Sequence, residues 1–114
     1  MTTLTKVATL SIPTYPGDAE ADPHAATWYG QVSAAAIHPS ANRFLIRTPY
    51  MVYEYRAPAG GSFESAFTGT RVTLTAPSSE GQGEAIDYAA DGSGYYTLGE
   101  EKAPPYVLKR VDRI

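Results

Sequence analysis

The chain has 114 residues and a net charge of −3, with nine basic residues scattered along its length. No Lys/Arg patch marks a nucleic-acid footprint. The absence of Cys excludes disulfides, thiol catalysis and Cys-ligated zinc, and no apolar run approaches the roughly 20 residues of a membrane span.

The first residues, MTTLTKVATLSIP, carry one Lys and no continuous apolar core, so they do not read as a signal peptide. Residues 6–12 read as a β-strand instead, with Val7, Leu10 and Ile12 as its apolar positions. The following "TYPGDAEADPHAATW" is a long acidic loop. In an extended chain Asp18, Glu20, Asp22 and His24 lie on one side, a candidate site for a hard cation such as Ca²⁺, with solvated loop charges as the plainer reading. No other cofactor is expected. Trp28 and Tyr29 close the loop just ahead of the next strand, where they suit stacking on a sugar ring or packing on a neighbour.

From there the chain reads as short Val-, Ile-, Thr- and Tyr-rich strands between Gly and Pro turns. Strands are expected near residues 31–38, 43–48, 51–56, 70–76, 84–88, 94–98 and 106–111. Residues 32–37 are Ala-rich, but the run is short and Pro39 biases its end away from helix. Tyr50, Tyr53 and Tyr55 with Arg47 and Arg56 form a second aromatic and basic group; Tyr50 and Arg47 join Trp28 and Tyr29 as candidate ligand contacts. Alternation puts Tyr53 and Tyr55 on one face, suited to packing between sheets. Asp91-Gly92-Ser93-Gly94 lacks the spaced carboxylates of an EF-hand and reads as a hairpin turn.

The strands repeat. "AAAIHPSANRFL" aligns with "AIDYAADGSGYY" 51 residues on, placing Ile37 on Tyr88 and Phe44-Leu45 on Tyr95-Tyr96. Val52-Tyr53-Glu54-Tyr55-Arg56 aligns with Pro105-Tyr106-Val107-Leu108-Lys109 at 53, and Thr9–Pro13 with Thr73–Pro77 at 64. With the four strands of one repeat labelled a to d, the chain reads d-abcd-abc.

The stretches "SAAAIHPSANRFLIRTPYMVYEYR" and "GEAIDYAADGSGYYTLGE" resemble bacterial β-propeller repeats of the TolB and WD40-like type. The second resembles in particular exported actinobacterial and myxobacterial propellers. Pro39-Ser40-Ala41-Asn42 departs from the expected Pro-Asp-Gly turn of such repeats. The resemblance implies an all-β chain of two four-stranded blades in one domain. Residues 31–76 would form the first blade, and residues 84–114 with 6–12 the second. It implies no activity, because propellers host many functions.

Two blades cannot close a ring, so the expectation is a homo-oligomer, three copies giving six blades, rather than a fragment of a larger propeller. Residues 6–12 (Val7, Leu10, Ile12) and the last strand (Tyr106, Leu108) are its candidate closure strands. The expected role is structural or ligand-binding and non-enzymatic. The alternatives are a lectin-like propeller using its rim aromatics, and a hydrolase with its site in the central channel. For catalysis the sequence offers two His, none of the common hydrolase or P-loop motifs, and Glu54, Glu84 and Asp87 only as a chance carboxylate pair.

Overall fold

In the computed structural model, residues 3–74, 82–100, 105 and 107–112 are described. They form two antiparallel sheets with few helices, an all-β architecture. The first sheet is a four-stranded meander of β1 (Ala34–Ile37), β2 (Arg43–Arg47), β3 (Val52–Arg56) and β4 (Thr70–Leu74). The second comprises β5 (Gln82–Tyr88), β6 (Gly94–Glu100) and β7 (Lys109–Asp112), again in chain order.

Cross-strand partners share a face. Leu45 opposite Glu54 and Arg47 opposite Val52 therefore face one way, and Phe44 opposite Tyr55 and Ile46 opposite Tyr53 face the other. All eight are buried. A strand buried on both faces needs cover on both sides. The second sheet covers the first face, packing Ile86, Tyr88 and Tyr95 against Ala36, Leu45 and Val52. On the other face Phe63, Ala66 and Phe67 of a 3-10 helix (Phe63–Thr68) join Leu10, Ile12 and Met51 over Phe44, Ile46, Tyr53 and Tyr55.

Both a–b hairpins pair at the same offset. Ala34 faces Arg47 and Ile37 faces Phe44; 51 residues on, Ala85 faces Leu98 and Tyr88 faces Tyr95. The next strand corrects the alignment. Leu45 pairs with Glu54 while its counterpart Tyr96 pairs with Arg110, so β3 maps onto β7 at 56 residues rather than 53. The connection ahead of β7 takes up the added length. Leu108 then precedes the strand and is 64% exposed, and Tyr106 lies outside the described residues.

The expected strand at residues 6–12 is not formed. Leu10 and Ile12 instead anchor the segment on the aromatic face of the first sheet, and Arg71 donates to the Ser11 carbonyl at 3.2 Å. Side-chain burial of two apolar residues holds it there in place of a hydrogen-bonded ladder, and Val7 is exposed. Residues 75 and 76 of the expected fourth strand lie outside the described residues.

The acidic loop also differs from an extended chain. Asp22 caps a short helix, α1 (Pro23–Trp28), accepting from the Ala25 N–H at 3.0 Å, with Pro23 preset for the first helical position.

Candidate functional site

Turn chemistry positions the seam between the sheets. In the β5–β6 turn Gly92 adopts φ +75°, and the Asp91 carboxylate accepts from the Ser93 N–H (2.9 Å) and hydroxyl (2.6 Å). The Ser93 hydroxyl, then its N–H, hold the Asp91 carboxyl below its ordinary range. The β1–β2 turn reaches the same result without Asp-Gly. His38 Nδ1 accepts from the Ser40 and Ala41 N–H groups at 3.1 and 2.9 Å. The other edge of the imidazole lies against Gly92, where a Cβ would strike Nε2, and the ring meets Tyr88 edge-on at 4.7 Å. His38 thus joins the two hairpin tips.

Inside the seam, Glu54 is fully buried on β3. Tyr88 donates to its Oε2 at 2.7 Å, Arg56 Nε donates to Oε1 at 2.6 Å, and Arg43 lies 3.7 Å from Oε1. A buried carboxylate is tolerated because it is paired and hydrogen-bonded on both oxygens. Arg43 and Arg56 continue outward into a cleft of about 390 Å³, bounded by Asn42 and the Pro58–Gly61 turn.

A second link lies at the far end of the seam. Arg47, 1% exposed, donates to the carbonyls of Thr48 and Ala85, each at 3.1 Å. Its guanidinium lies across Gly83, leaving no room for a side chain there. Gly83 also donates to the Pro49 carbonyl, and its own carbonyl accepts from Ser33 Oγ at 2.6 Å. The β-bulge between Gly83 and Ala85 lets β5 make this approach.

The expected ligand residues divide among three places. Tyr29 and Tyr50 stack with centroids 6.3 Å apart, Tyr15 tilts against Tyr29 at 5.6 Å, and Tyr53 hydrogen-bonds Tyr29. Burial, then the Asp22 charge and Tyr15, raise the Tyr50 phenol, and burial and Tyr29 push Tyr53 up to about 12. Trp28 stacks instead on His24, one helical turn back, at 5.3 Å. Arg47 faces the opposite side of the first sheet, buried against the second, so it does not join the aromatic group.

The acidic trio is not a convergent set either. Asp18 accepts from the Glu20 N–H, Asp22 caps α1, and among the described residues no three acidic or His side chains form a metal-holding group. Glu84 and Asp87 are exposed while Glu54 is buried, so they form no pair with it.

The sequence marks Glu54 only as a chance carboxylate partner and Arg47 only as a candidate ligand contact; it does not mark Tyr88 or the Arg47–Gly83 contact as a site. One signal was available: alternation in Val52–Arg56 sets Glu54 on the same face as Val52, where a carboxylate needs partners. No protein-family model, curated protein or solved structure matches this chain.

Proposed function

We propose that this chain is a non-enzymatic β-propeller module whose two blades assemble with further copies into a closed ring, six blades in three copies. The carrying observation is the stacking of the sheets: both present their hairpins at the same offset, and the second lies on the first with its a strand along the a and b strands of the first. Propeller blades stack in this manner around an axis, and a two-blade unit leaves its end faces uncovered. Four exposed apolar side chains, Val32, Ile37, Val107 and Leu108, fit such a unit. Sedimentation equilibrium tests the reading. A mass three times the 12.2 kDa of one chain is expected, and a single-chain mass at all concentrations overturns it.

A lectin-like role has a specific observation in its favour, the stacked pair Tyr29 and Tyr50 beside the acidic Asp22. Aromatic faces with polar neighbours suit sugar rings. A glycan array in which the wild type binds and Tyr50→Ala does not supports it; no binding at high protein concentration removes it.

A further inference from the structure

Beside the 3-10 helix and Leu10, which cover part of this face, the first sheet keeps an apolar groove of about 530 Å³, lined by Ala35 and Ile37 at its rim, by the buried Phe44 and Ile46 at its floor, and bordered by Leu10 and Phe67. Ile37 is 65% exposed at its edge. The contact between the two sheets of one chain indicates what fits there. Shifted by 51 residues, Ala35, Ile37 and Phe44 become Ile86, Tyr88 and Tyr95, the residues with which the second sheet packs on the first. The groove is thus the counterpart, on the first sheet, of a face already used.

The opposing surface follows from the same correspondence. Tyr88 and its neighbours pack on Ala36, Leu45 and Val52. Mapped forward through the observed registers, Ala36 and Leu45 become Asp87 and Tyr96 on the outer side of the second sheet, a face shared by Asp112 and by Arg110 lying over the Tyr96 ring, and the 56-residue offset carries Val52 to Leu108, just ahead of β7. Tyr96 and Leu98 are half-buried, and Leu108 is exposed.

We infer that the groove on the first sheet is the docking site for a second copy of this chain, which inserts the outer face of its second sheet and so repeats the internal sheet-to-sheet contact. The inference rests on the assembly proposed above and names its surfaces. The contact is heterologous, because each copy offers a groove at one end and a Tyr96–Leu98–Leu108 face at the other. Such contacts propagate in one direction and close into a ring when the rotation permits. One detail distinguishes the contact between copies from the internal one. At the 51-residue sequence offset, Val32 stands where Gly83 does and Leu98 where Arg47 does, so an apolar pair replaces the buried guanidinium on glycine.

That pair supplies the test, since a chain without Cys accepts single cysteines cleanly. Val32 is 53% exposed and Leu98 half-buried, so both positions tolerate the change. Chains carrying Val32→Cys and chains carrying Leu98→Cys are mixed, assembled and treated with a short bismaleimide, and the mass of the mixture is measured in parallel. Cross-linking between the two kinds of chain, well above cross-linking within either kind, is expected. Assembled protein that links only like with like, or not at all, overturns the docking faces and leaves the ring standing. Failure to assemble overturns both. Independently, Ile37→Glu is expected to weaken association by at least about tenfold, the loss that follows from removing one buried aliphatic side chain. Unchanged association in that variant also overturns the assignment.

Discussion

Tyr88→Phe isolates the bond that ties the two sheets at their centre. The ring keeps its place among Leu45, Val52 and Tyr95, so packing is preserved and only the hydroxyl is lost. That hydroxyl donates at 2.7 Å to a carboxylate with no solvent exposure. A hydrogen bond to a charged group contributes about 1.5–3 kcal/mol net, and water cannot readily replace it at a buried oxygen. A loss of about 2 kcal/mol lowers the folding equilibrium constant about 30-fold. For a chain of this length it lowers the thermal midpoint by roughly 6–12 °C. Urea unfolding, fitted with an unchanged slope, gives the free energy directly. Repeating the change in a Glu54→Gln background closes a double-mutant cycle, in which a coupling of about 1 kcal/mol or more is expected. A loss below about 0.5 kcal/mol, with additive single effects, would refute Glu54 as the acceptor that joins the sheets.

Gly83→Ala places a methyl group in the Arg47 guanidinium. Displacing that buried cation from two carbonyls costs about 3 kcal/mol, and chemical denaturation should show most of it recovered in an Arg47→Ala background. The Asp91 carboxyl, held below its ordinary 3.8 by Ser93, stabilises its turn above about pH 4, and that contribution fades as pH falls through the depressed folded value. Carbon-detected NMR titration should return the midpoint toward 3.8 in Ser93→Ala; an unchanged midpoint contradicts the assignment. Tyr53 has the opposite sign. Its folded value of about 12 exceeds the unfolded value near 10, so stability is retained below pH 10 and lost as pH rises toward 12. Stability measured across that range should fall less steeply in Tyr53→Phe.

The strands were legible because their alternation is regular and their turns carry chemical signals. Asp91-Gly92 predicts the positive φ and the carboxylate cap that the second hairpin adopts. The first hairpin hid its equivalent in His38, whose Nδ1 caps the turn in place of an aspartate. Pattern alone also misplaced β3 on β7 by three residues, because "VYEYR" and "PYVLK" match in apolar spacing while the pairing follows Tyr96 with Arg110. Residues 6–12 have the alternation of a strand, yet a strand needs an edge to join, and within the chain the burial of Leu10 and Ile12 decides their place. Neither α1 nor the 3-10 helix announces itself by periodicity, since each is only six residues long. The seam was the least legible part. Arg47, Gly83, Glu54 and Tyr88 lie up to 41 residues apart in sequence and acquire meaning only when the sheets stack.

Negative-stain electron microscopy of the purified chain tests the central proposal most directly. Closed particles with six radial density lobes around a central channel are expected. Fields of isolated two-lobed particles, or open filaments without closed rings, would contradict it.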